Sequence, residues 1–559
     1  MKKVLSIFAM CIGIFLCMLD TTVMNIALPS IQDSLDVTLN NLQWALNIYT
    51  ILFTSLTIPL SQLAERFGNH KCYLLALLLF AIGSLMSSLS TTLTQLIIGR
   101  AIQSMGAALI FPLSMTIGIN TVSLEARKGV IAALGVTQGL ASALGPTIGG
   151  VVTQFLGWEW IFLINLPLTA LAFLICVTCL GLKERGERVE SDVLGAALCM
   201  LTLFTMTLGL VQGRSWGWTS ITILSLLSSS IVLLVLSILW EKRFKQPMVP
   251  LELFKNKAFT GAALAGLLSN VFLVAVTVVL PTYFTRVQNK TELVAALLMT
   301  PITAMIFIFS PIAALMIDKL GPRVVIASGF ILMTIAYYLF TQIEMSNVVQ
   351  TSMACLILGA GYGIIAGPIT VLAASDFTGT LLSASQSVAG VLRQIGIVLA
   401  VAIYVSGLYA NLTTAKSESI DYITKIVKTI DVSPSKQKTI IETAASSLGK
   451  SISTPTSTNH FSKKEKDRII EENYEAVLSQ YPSTVSNEQK KQIHSSVEET
   501  VTKKLQTINK QINTAIQKIK TYAKKRYTKA FTKLYQYSIV FVALSTFSFL
   551  LFPKKGISK

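Results

Sequence analysis

Long apolar runs separated by short polar turns make up most of the chain. A run of about 20 apolar residues matches the thickness of the hydrocarbon core of a bilayer. Fourteen such runs predict transmembrane helices, at residues 4–28, 44–64, 72–90, 94–118, 129–155, 159–182, 193–211, 220–240, 258–284, 292–317, 323–342, 347–374, 383–409 and 533–552. The connector at 410–532 is polar and far longer than the others. The pattern therefore predicts an all-α integral membrane protein with 14 transmembrane helices and a large helical loop before the last helix.

Composition agrees with this pattern. Hydrophobic residues form 52% of the chain and charged residues 13%, and the mean hydropathy is +0.63. A soluble domain of this length would need much more polar surface. The seven cysteines all lie in apolar runs, so no disulfide framework is indicated. Cys176 and Cys179 form a CxxC pair inside an apolar helix, and we expect neither metal nor redox chemistry there.

The distribution of Lys and Arg predicts how the helices are oriented. With the N-terminus in the cytoplasm, the cytoplasmic segments hold 19 Lys and Arg residues, and the short external loops hold only Arg214, Arg286 and Lys290. Cytoplasmic loops normally carry the excess of basic residues. Both termini are therefore predicted to be cytoplasmic, in a multi-pass protein of the plasma membrane. The formal charge of +18 follows from this topology and from the long loop, and it does not indicate a nucleic-acid partner.

Three charged residues interrupt the apolar runs. Asp20 is the only charged residue of the first run, Arg100 stands within "LIIGRAIQSMGAALIFP", and Arg393 stands within "LRQIG". A charged residue at mid-bilayer costs roughly 2.5–3.5 kcal/mol, and the few that occur mostly serve function. The alternatives are a structural Asp20 that is hydrogen-bonded by Thr21 or Thr22, and an Arg100 that acts only as a snorkelling anchor.

The fifth run is rich in residues that favour close helix packing. Its stretch "GVTQGLASALGPTIGG" contains Gly135, Gly139, Gly145, Pro146, Gly149 and Gly150. Small residues let helix backbones approach closely, and a Gly-Pro pair permits a bend. We expect these positions to serve gating and helix packing.

Two polar turns have similar sequences. "SQLAERFGNHK" lies between the second and third helices, and "MIDKLGPR" lies between the tenth and eleventh. Each turn combines an acid, a base and a glycine, which are Glu65, Arg66, Gly68, Asp318, Gly321 and Arg323. Similar turns in two halves indicate an internal repeat of the kind that transporters use for alternating access. The alternative is that basic turns merely follow the positive-inside rule.

Taken together, these segments resemble the major facilitator superfamily, and within it the fourteen-helix drug:proton antiporter family of the quaternary-ammonium and lincomycin efflux type. "LDTTVMNIALP" is similar to the first-helix motif, "SQLAERFGNHK" to the loop motif, "GRAIQSMGAA" to the fourth-helix arginine motif and "ALGPTIGG" to the fifth-helix antiporter motif. "WEWIFLINLP", "GRSWGWTS", "QPMVPLELFKNKAF" and "LRQIG" extend the similarity over nearly the whole chain except 410–532. The sequence departs from the motifs at Ser61, Glu65, Asn69 and Ser104.

The resemblance implies an architecture. It places an N-terminal six-helix half at 1–182, an inserted helix pair with a cytoplasmic linker at 183–257, and helices 9–13 of the C-terminal half at 258–409. An extracellular helical loop occupies 410–532, and helix 14 with a cytoplasmic tail occupies 533–559. The substrate cavity is expected between the two halves.

The resemblance also implies a function: proton-coupled export of amphipathic, often cationic compounds, as in multidrug efflux and antibiotic resistance. Such a protein is not an enzyme and needs no cofactor or metal; its partners are small molecules, protons and membrane lipids. Asp20 is the candidate proton or cation carrier, because a carboxylate that alternates between dry and wet surroundings can bind and release a proton. Arg100 is the candidate residue that tunes it. The three histidines lie outside the predicted spans, at His70, His460 and His494.

The long loop leaves further interpretations open. Residues 410–532 contain 21 Lys and Arg and 12 Asp and Glu, a net charge of about +9, with amphipathic runs of helical spacing. The loop is either a lid or dock for anionic cell-envelope polymers or a solvated helical insertion, and its last run is predicted to continue into helix 14 as one rod. Two other functions remain: export of an endogenous lipid or metabolite, and a membrane receptor that acts through the loop.

Overall fold

A computed structural model describes residues 2–123, 126–181, 192–244, 246–374, 376–430, 432–447, 461–481 and 486–553. Within these ranges all regular structure is helical, as predicted. Thirteen helices there are long and apolar enough to cross a membrane, or 14 when the bent fifth helix counts as one span. Parts of the predicted linker, loop and cytoplasmic tail lie outside the described residues, at 182–191, 448–460, 482–485 and 554–559.

The helices of the N-terminal part follow the predicted runs. They are α1 Lys2–Leu35, α2 Leu39–Phe67, α3 Asn69–Ser88, α4 Leu93–Asn120, α5 Arg127–Leu156, α6 Trp160–Leu163, α7 Asn165–Cys179, α8 Val193–Trp216 and α9 Ile221–Glu241. The sixth span consists of two segments, α6 and α7, which meet at Ile164. Helix α5 bends by 46° between its segments Gly129–Ala141 and Leu144–Leu156. Pro146 follows this bend, and an internal proline removes one backbone hydrogen bond from a helix.

The C-terminal part begins with a 3₁₀ turn at Leu251–Lys255. It continues with α10 Lys257–Arg286, α11 Glu292–Leu320, α12 Pro322–Gln342, α13 Val348–Ala374, α14 Gly379–Ala400, α15 Ser406–Val427, α16 Pro434–Ser447, α17 Lys463–Leu478 and α18 Asn487–Ser545. A π-helical turn at Val401–Val405 joins α14 to α15, so the helix continues well past the predicted end of its span at 409. The apolar run ends there, but an amphipathic face continues, and backbone hydrogen bonding persists while that face stays packed.

The two similar turns have the same backbone geometry. Gly68 ends α2 with φ +100°, and Gly321 ends α11 with φ +79°. Both values lie in the left-handed region, which side chains with a Cβ rarely adopt. Each glycine N–H donates back to the helix it closes, to the Ala64 carbonyl at 2.9 Å and the Ile317 carbonyl at 2.8 Å. Glycine is therefore required at both positions for a helix to end and the next to begin at once.

One compact unit comprises residues 1–281, 290–407 and 532–559. In it α3 packs on α4, α1 on α5, and α13 on both α11 and α12. Contacts of α5 with α11 and of α2 with α14 join the N-terminal helices to the C-terminal ones. In the second of these contacts, the hydroxyls of Ser61 and Ser387 are hydrogen-bonded at 2.6 Å. Helix α9 exposes a row of large apolar side chains that suits contact with lipid, including Ile231, Val232, Leu234 and Val235.

The second unit comprises residues 282–289 and 408–531. Its apolar core is formed by small clusters along α15, α16, α17 and α18, and the rings of Tyr422 and Tyr522 stack 4.0 Å apart. The predicted rod is confirmed, because α18 is one helix of 59 residues. Helix α17 begins with a capping box of Ser462 and Glu465. The Ser462 backbone N–H and the Lys436 ammonium lower the pKa of Glu465 to about 2.

Candidate functional site

Asp20 on α1 is fully buried and is held by three donors from other helices. Arg100 Nη1 on α4 forms an ion pair with Asp20 Oδ2, and Gln103 Nε2 donates to Asp20 Oδ1 at 2.8 Å. Asn165 Nδ2, at the first residue of α7, donates to the same Oδ1 at 3.4 Å. The structure thus joins the two charges that the sequence singled out in the N-terminal half, and it adds two amides.

The threonines next to Asp20 have other acceptors. The Thr21 hydroxyl donates to the Cys17 carbonyl at 2.8 Å, and the Thr22 hydroxyl donates to the Leu19 carbonyl at 3.1 Å. Both acceptors belong to α1 itself, which is the usual behaviour of a threonine inside a helix. These contacts therefore argue against the alternative in which Thr21 or Thr22 hydrogen-bonds Asp20. The carboxylate is held by tertiary contacts that link α1, α4 and α7.

Arg100 is enclosed, with only 1% of its side chain exposed. Its Nε donates to the Ala45 carbonyl of α2 at 3.3 Å, and its Nη1 donates to Gln103 Oε1 at 2.7 Å. The guanidinium carbon lies 4.1 Å from the ring centroid of Tyr49, an arrangement in which the ring face attracts the cation. A snorkelling side chain extends to the membrane surface. Because Arg100 points into protein on all sides, its interpretation as an anchor is wrong.

The network includes three polar residues that sequence reasoning missed. Gln103 Nε2 donates to Ser84 Oγ on α3 at 2.8 Å, so a hydroxyl extends the network to α3 as well. Buried Asn165 Oδ1 has no hydrogen-bond partner. The spacing of Gln103, three residues after Arg100, could have predicted its position, since such residues share a helix face. Nothing in the local sequence distinguishes Ser84 from the other serines of the spans.

The glycines of α5 lie in two different contacts. Gly145 and Gly149 face α1 directly beside Asp20: a Cβ at Gly145 would collide with Thr22, and one at Gly149 would lie 2.7 Å from the Val23 carbonyl oxygen. Gly135, Gly139 and Gly150 instead face the C-terminal helices, against Thr370, Ile306 and Ala296 respectively. Helix α5 therefore packs closely on the Asp20 helix with one face and on α11 and α13 with another.

The two turns lie apart from the Asp20 network. Arg66 is exposed and lies over the Phe67 ring, with 5.9 Å between its guanidinium carbon and the ring centroid. Glu65 is half-buried at the end of α2, and Asp318 is exposed in the last turn of α11. Arg323 Nε donates to the Phe552 carbonyl at 2.6 Å and so fixes the end of the chain's last helix. Within the described ranges, no three His, Cys, Asp or Glu side chains are grouped to hold a metal.

Arg393 lies in a different environment from Arg100. On α14, it lines a cavity of about 10 Å³ between α4, α10, α13 and α14. Its guanidinium carbon lies 5.7 Å from the ring centroid of Phe111 on α4. Its Nη1 is buried and has no hydrogen-bond partner. Arg393 therefore does not belong to the Asp20 network, whose charges are paired.

Comparison with known proteins agrees with this architecture. Residues 10–401 match the profile of the Major Facilitator Superfamily. The chain is 26% identical to the riboflavin transporter RibZ of Clostridioides difficile over 66% of the chain and 80% of that protein. It is 27% identical to the multidrug transporter protein MdtP of Bacillus subtilis over 71% of the chain and 73% of that protein. It is 33% identical to the methylenomycin A resistance protein of Streptomyces coelicolor over 57% of the chain and 66% of that protein.

A solved structure shares the fold. The proton:xylose symporter XylE, bound to 6-bromo-6-deoxy-D-glucose, aligns with a TM-score of 0.50 and 14% identity, over 72% of this chain and 87% of XylE. Members of the matched family are membrane transporters and not enzymes. The profile match, the apolar helices and the shared fold agree, and the chain belongs to the major facilitator superfamily.

Proposed function

We propose that the chain is a proton-coupled exporter of amphipathic small molecules in the plasma membrane, with both termini in the cytoplasm and Asp20 as the proton carrier. One observation supports this above the others. Asp20 is fully buried in a transporter bundle, and its partners are one cation and two amides on neighbouring helices. A receptor would have no need for a carboxylate kept in this position.

The ion pair explains how proton binding would move helices. With Asp20 charged, Arg100 is compensated and α1 is held against α4. Protonation of Asp20 would leave Arg100 as an uncompensated buried charge, and breaking a buried pair in this way costs about 3–5 kcal/mol. The arrangement would relax by separating the two side chains or by admitting water. Proton binding and helix movement are therefore linked in the proposed cycle.

Helix α5 provides a route from this event to the C-terminal helices. Gly149 packs on the α1 backbone next to the Asp20 segment, and Gly150 packs on Ala296 of α11. Interfaces of close-packed backbones shift between discrete arrangements more readily than they deform. We propose that α5 transmits the displacement of α1 to α11, and that the two sets of helices alternate access to a cavity between them.

The relatives favour two substrate classes. MdtP and the methylenomycin A resistance protein are named for drug transport or resistance, which supports amphipathic drugs, often cationic, as substrates. RibZ is named for riboflavin, which supports an endogenous metabolite as the second candidate. In either case we propose that the 410–532 loop contacts anionic cell-envelope polymers, because its net charge is about +9.

The test compares two carboxylates of the same helix. Asp20→Asn is expected to abolish substrate-induced proton movement in everted vesicles, because the amide cannot cycle a proton. Exchange of labelled for unlabelled substrate should persist, since the neutral side chain resembles the protonated state. Asp33→Asn, at an exposed position near the end of α1, should change proton movement by less than about twofold. Wild-type proton movement in Asp20→Asn protein would exclude Asp20 as the carrier.

A further inference from the structure

Arg393 is an intramembrane cation whose side chain is only partly exposed. Its Nη1 is shielded from solvent and donates to no acceptor among the described residues, and no carboxylate of those residues forms an ion pair with Arg393. Intramembrane arginines are rare and almost always pair with an acid or with backbone carbonyls. The ring face of Phe111 at 5.7 Å offers some attraction, but it does not satisfy the N–H donors. The unused donors of Arg393 therefore suit a ligand that brings its own acceptor.

The surroundings of Arg393 describe the rest of that ligand. The cavity combines apolar walls with few polar groups: Phe111 and Met115 come from α4, Ile369 from α13, and Gln386 from α14. Two lining residues, Gly266 of α10 and Gly390 of α14, are glycines, so no side chain from either position occupies the cavity. An apolar pocket with one fixed cation accepts an amphipathic molecule whose polar end is an acid.

The lining helices come from both parts of the bundle. Helix α4 belongs to the N-terminal helices, whereas α10, α13 and α14 belong to the C-terminal ones. About 10 Å³ is room for a single water, so the conformation described has no space for a substrate beside Arg393. Movement of α4 away from the other three would enlarge this cavity, which is where an alternating-access transporter binds its substrate.

We propose that Arg393 binds an anionic group of the transported substrate, and that the transporter selects amphipathic organic acids and zwitterions carrying a carboxylate. This inference rests on the proposed export function and narrows its substrate class. The planar guanidinium presents two parallel N–H donors to a carboxylate, which an ammonium cannot do. A purely cationic compound would meet like charge at this position. The site therefore favours carboxylates over the simple cations that the sequence motifs suggested.

The charge of the substrate also sets how transport responds to membrane potential. Export of a monocation with entry of one proton moves no net charge. Export of a zwitterion with entry of one proton moves one positive charge inward, and export of a monoanion moves two. An interior-negative potential therefore accelerates export of a zwitterion or an anion and leaves that of a cation unchanged.

Two dyes that differ only at one carboxyl group test whether binding depends on a carboxylate. Rhodamine B carries a free carboxylate beside its cationic ring system, and its ethyl ester has the same rings without the acid. Full-length protein in proteoliposomes is titrated with each dye and followed by fluorescence polarisation. We expect wild-type protein to bind rhodamine B at least about tenfold more tightly than the ester. A preference for the ester, or no preference, overturns the proposal.

Variants assign the preference to Arg393. Arg393→Gln should weaken rhodamine B binding at least about tenfold and ester binding less than about twofold. Arg393→Lys keeps the charge but loses the two parallel N–H donors of the guanidinium, so it should weaken rhodamine B binding by about threefold to tenfold. This variant provides the test if the glutamine variant fails to fold. Arg214→Gln, at an exposed position near the end of α8, is the control and should change neither dye. Equal weakening of both dyes by Arg393 variants overturns the proposal.

Transport separates this inference from the export function. A pH gradient is applied to the same proteoliposomes, with and without a potassium diffusion potential. Uphill movement of the ester but not of rhodamine B would refute the anion site and leave proton-coupled export intact. Arg393-dependent binding of rhodamine B without proton-driven movement of either dye would retain the site and refute the coupling. Acceleration of rhodamine B alone by a potential that is negative on the side from which the dye is pumped supports both.

Discussion

Arg100 and Arg393 are the same residue type in similar apolar helices, yet their environments are opposite. Arg100 has an acid, an amide, a backbone carbonyl and an aromatic face around it. Arg393 has an aromatic face and a buried Nη1 without a partner. A buried charge is tolerated when its surroundings provide the opposite charge and the hydrogen bonds. Arg100 finds these within the chain, and we propose that a ligand supplies them to Arg393.

In the function we propose, the two arginines have different roles: Arg100 takes part in proton coupling, and Arg393 recognises the substrate. A change of protonation alters a compensated pair, because loss of one charge leaves the other without its counter-charge. An uncompensated cation cannot respond in this way, but in our proposal it selects the compounds that bind in its cavity. By this reasoning the Asp20 network would drive transport, and Arg393 would choose what is transported.

The largest expected effect is at the compensated arginine. Arg100→Ala leaves Asp20 buried without its cation, so we expect a loss of about 3–5 kcal/mol in stability and loss of proton-dependent export. Arg100→Lys should not restore export, since an ammonium does not reproduce the contacts to both Asp20 and Ala45. Thermal unfolding in detergent and dye efflux measure the two effects. Normal stability of Arg100→Ala protein would show that the ion pair contributes little to the free energy of unfolding. The proposed difference between a compensated Arg100 and an uncompensated Arg393 would then be wrong.

An intermediate effect is expected where α5 presses on the helix of Asp20. A Cβ at Gly149 would lie 2.7 Å from the Val23 carbonyl oxygen, so Gly149→Ala must push α5 away from α1. Overpacking of this kind costs about 1–3 kcal/mol. We expect at least about tenfold slower efflux with surface expression retained. Gly129→Ala in the same helix is the matched control, because nothing lies within 4 Å of its added Cβ. An equal loss of efflux in both variants would mean that efflux is sensitive to any added side chain in α5, and not to its contact with α1 in particular.

The smallest effect is expected on stability at the uncompensated arginine. Arg393→Met replaces a side chain of similar length and removes no ion pair, so we expect a change of less than about 1 kcal/mol, of either sign. Arg100→Met in the same thermal assay provides the comparison and should be far more destabilising. A loss at Arg393 as large as that at Arg100 would mean that its charge has a partner within the protein.

Much of the fold could be predicted from the sequence, because bilayer thickness and backbone hydrogen bonding restrict the possibilities. Apolar runs of span length predicted the helices, and the amphipathic run before the last span predicted the rod of α18. The end of α15 at Val427 could not be predicted in this way. Hydropathy marks where the apolar run stops, whereas the helix stops where its packed face stops.

The candidate site could be predicted only in part. Asp20 and Arg100 were found because an isolated charge in an apolar run is conspicuous. Ser84 and Asn165 were not found, since serine and asparagine are common in spans and their roles depend on partners far away along the chain. Arg393 was found as an intramembrane charge, but its lack of a partner was not visible.

The sequence by itself determined where the apolar spans lie along the chain, the conspicuous charges within them, and the glycines of the turns and of α5. These are local properties, decided by transfer free energy and by which residues accept a left-handed backbone. Only the tertiary structure decided that Asp20 pairs with Arg100 across 80 residues while Nη1 of Arg393 has no partner among the described residues. The physical reason is that compensation of a buried charge depends on which helices are neighbours and on a few ångströms of separation, and neither is written in the order of residues along the chain.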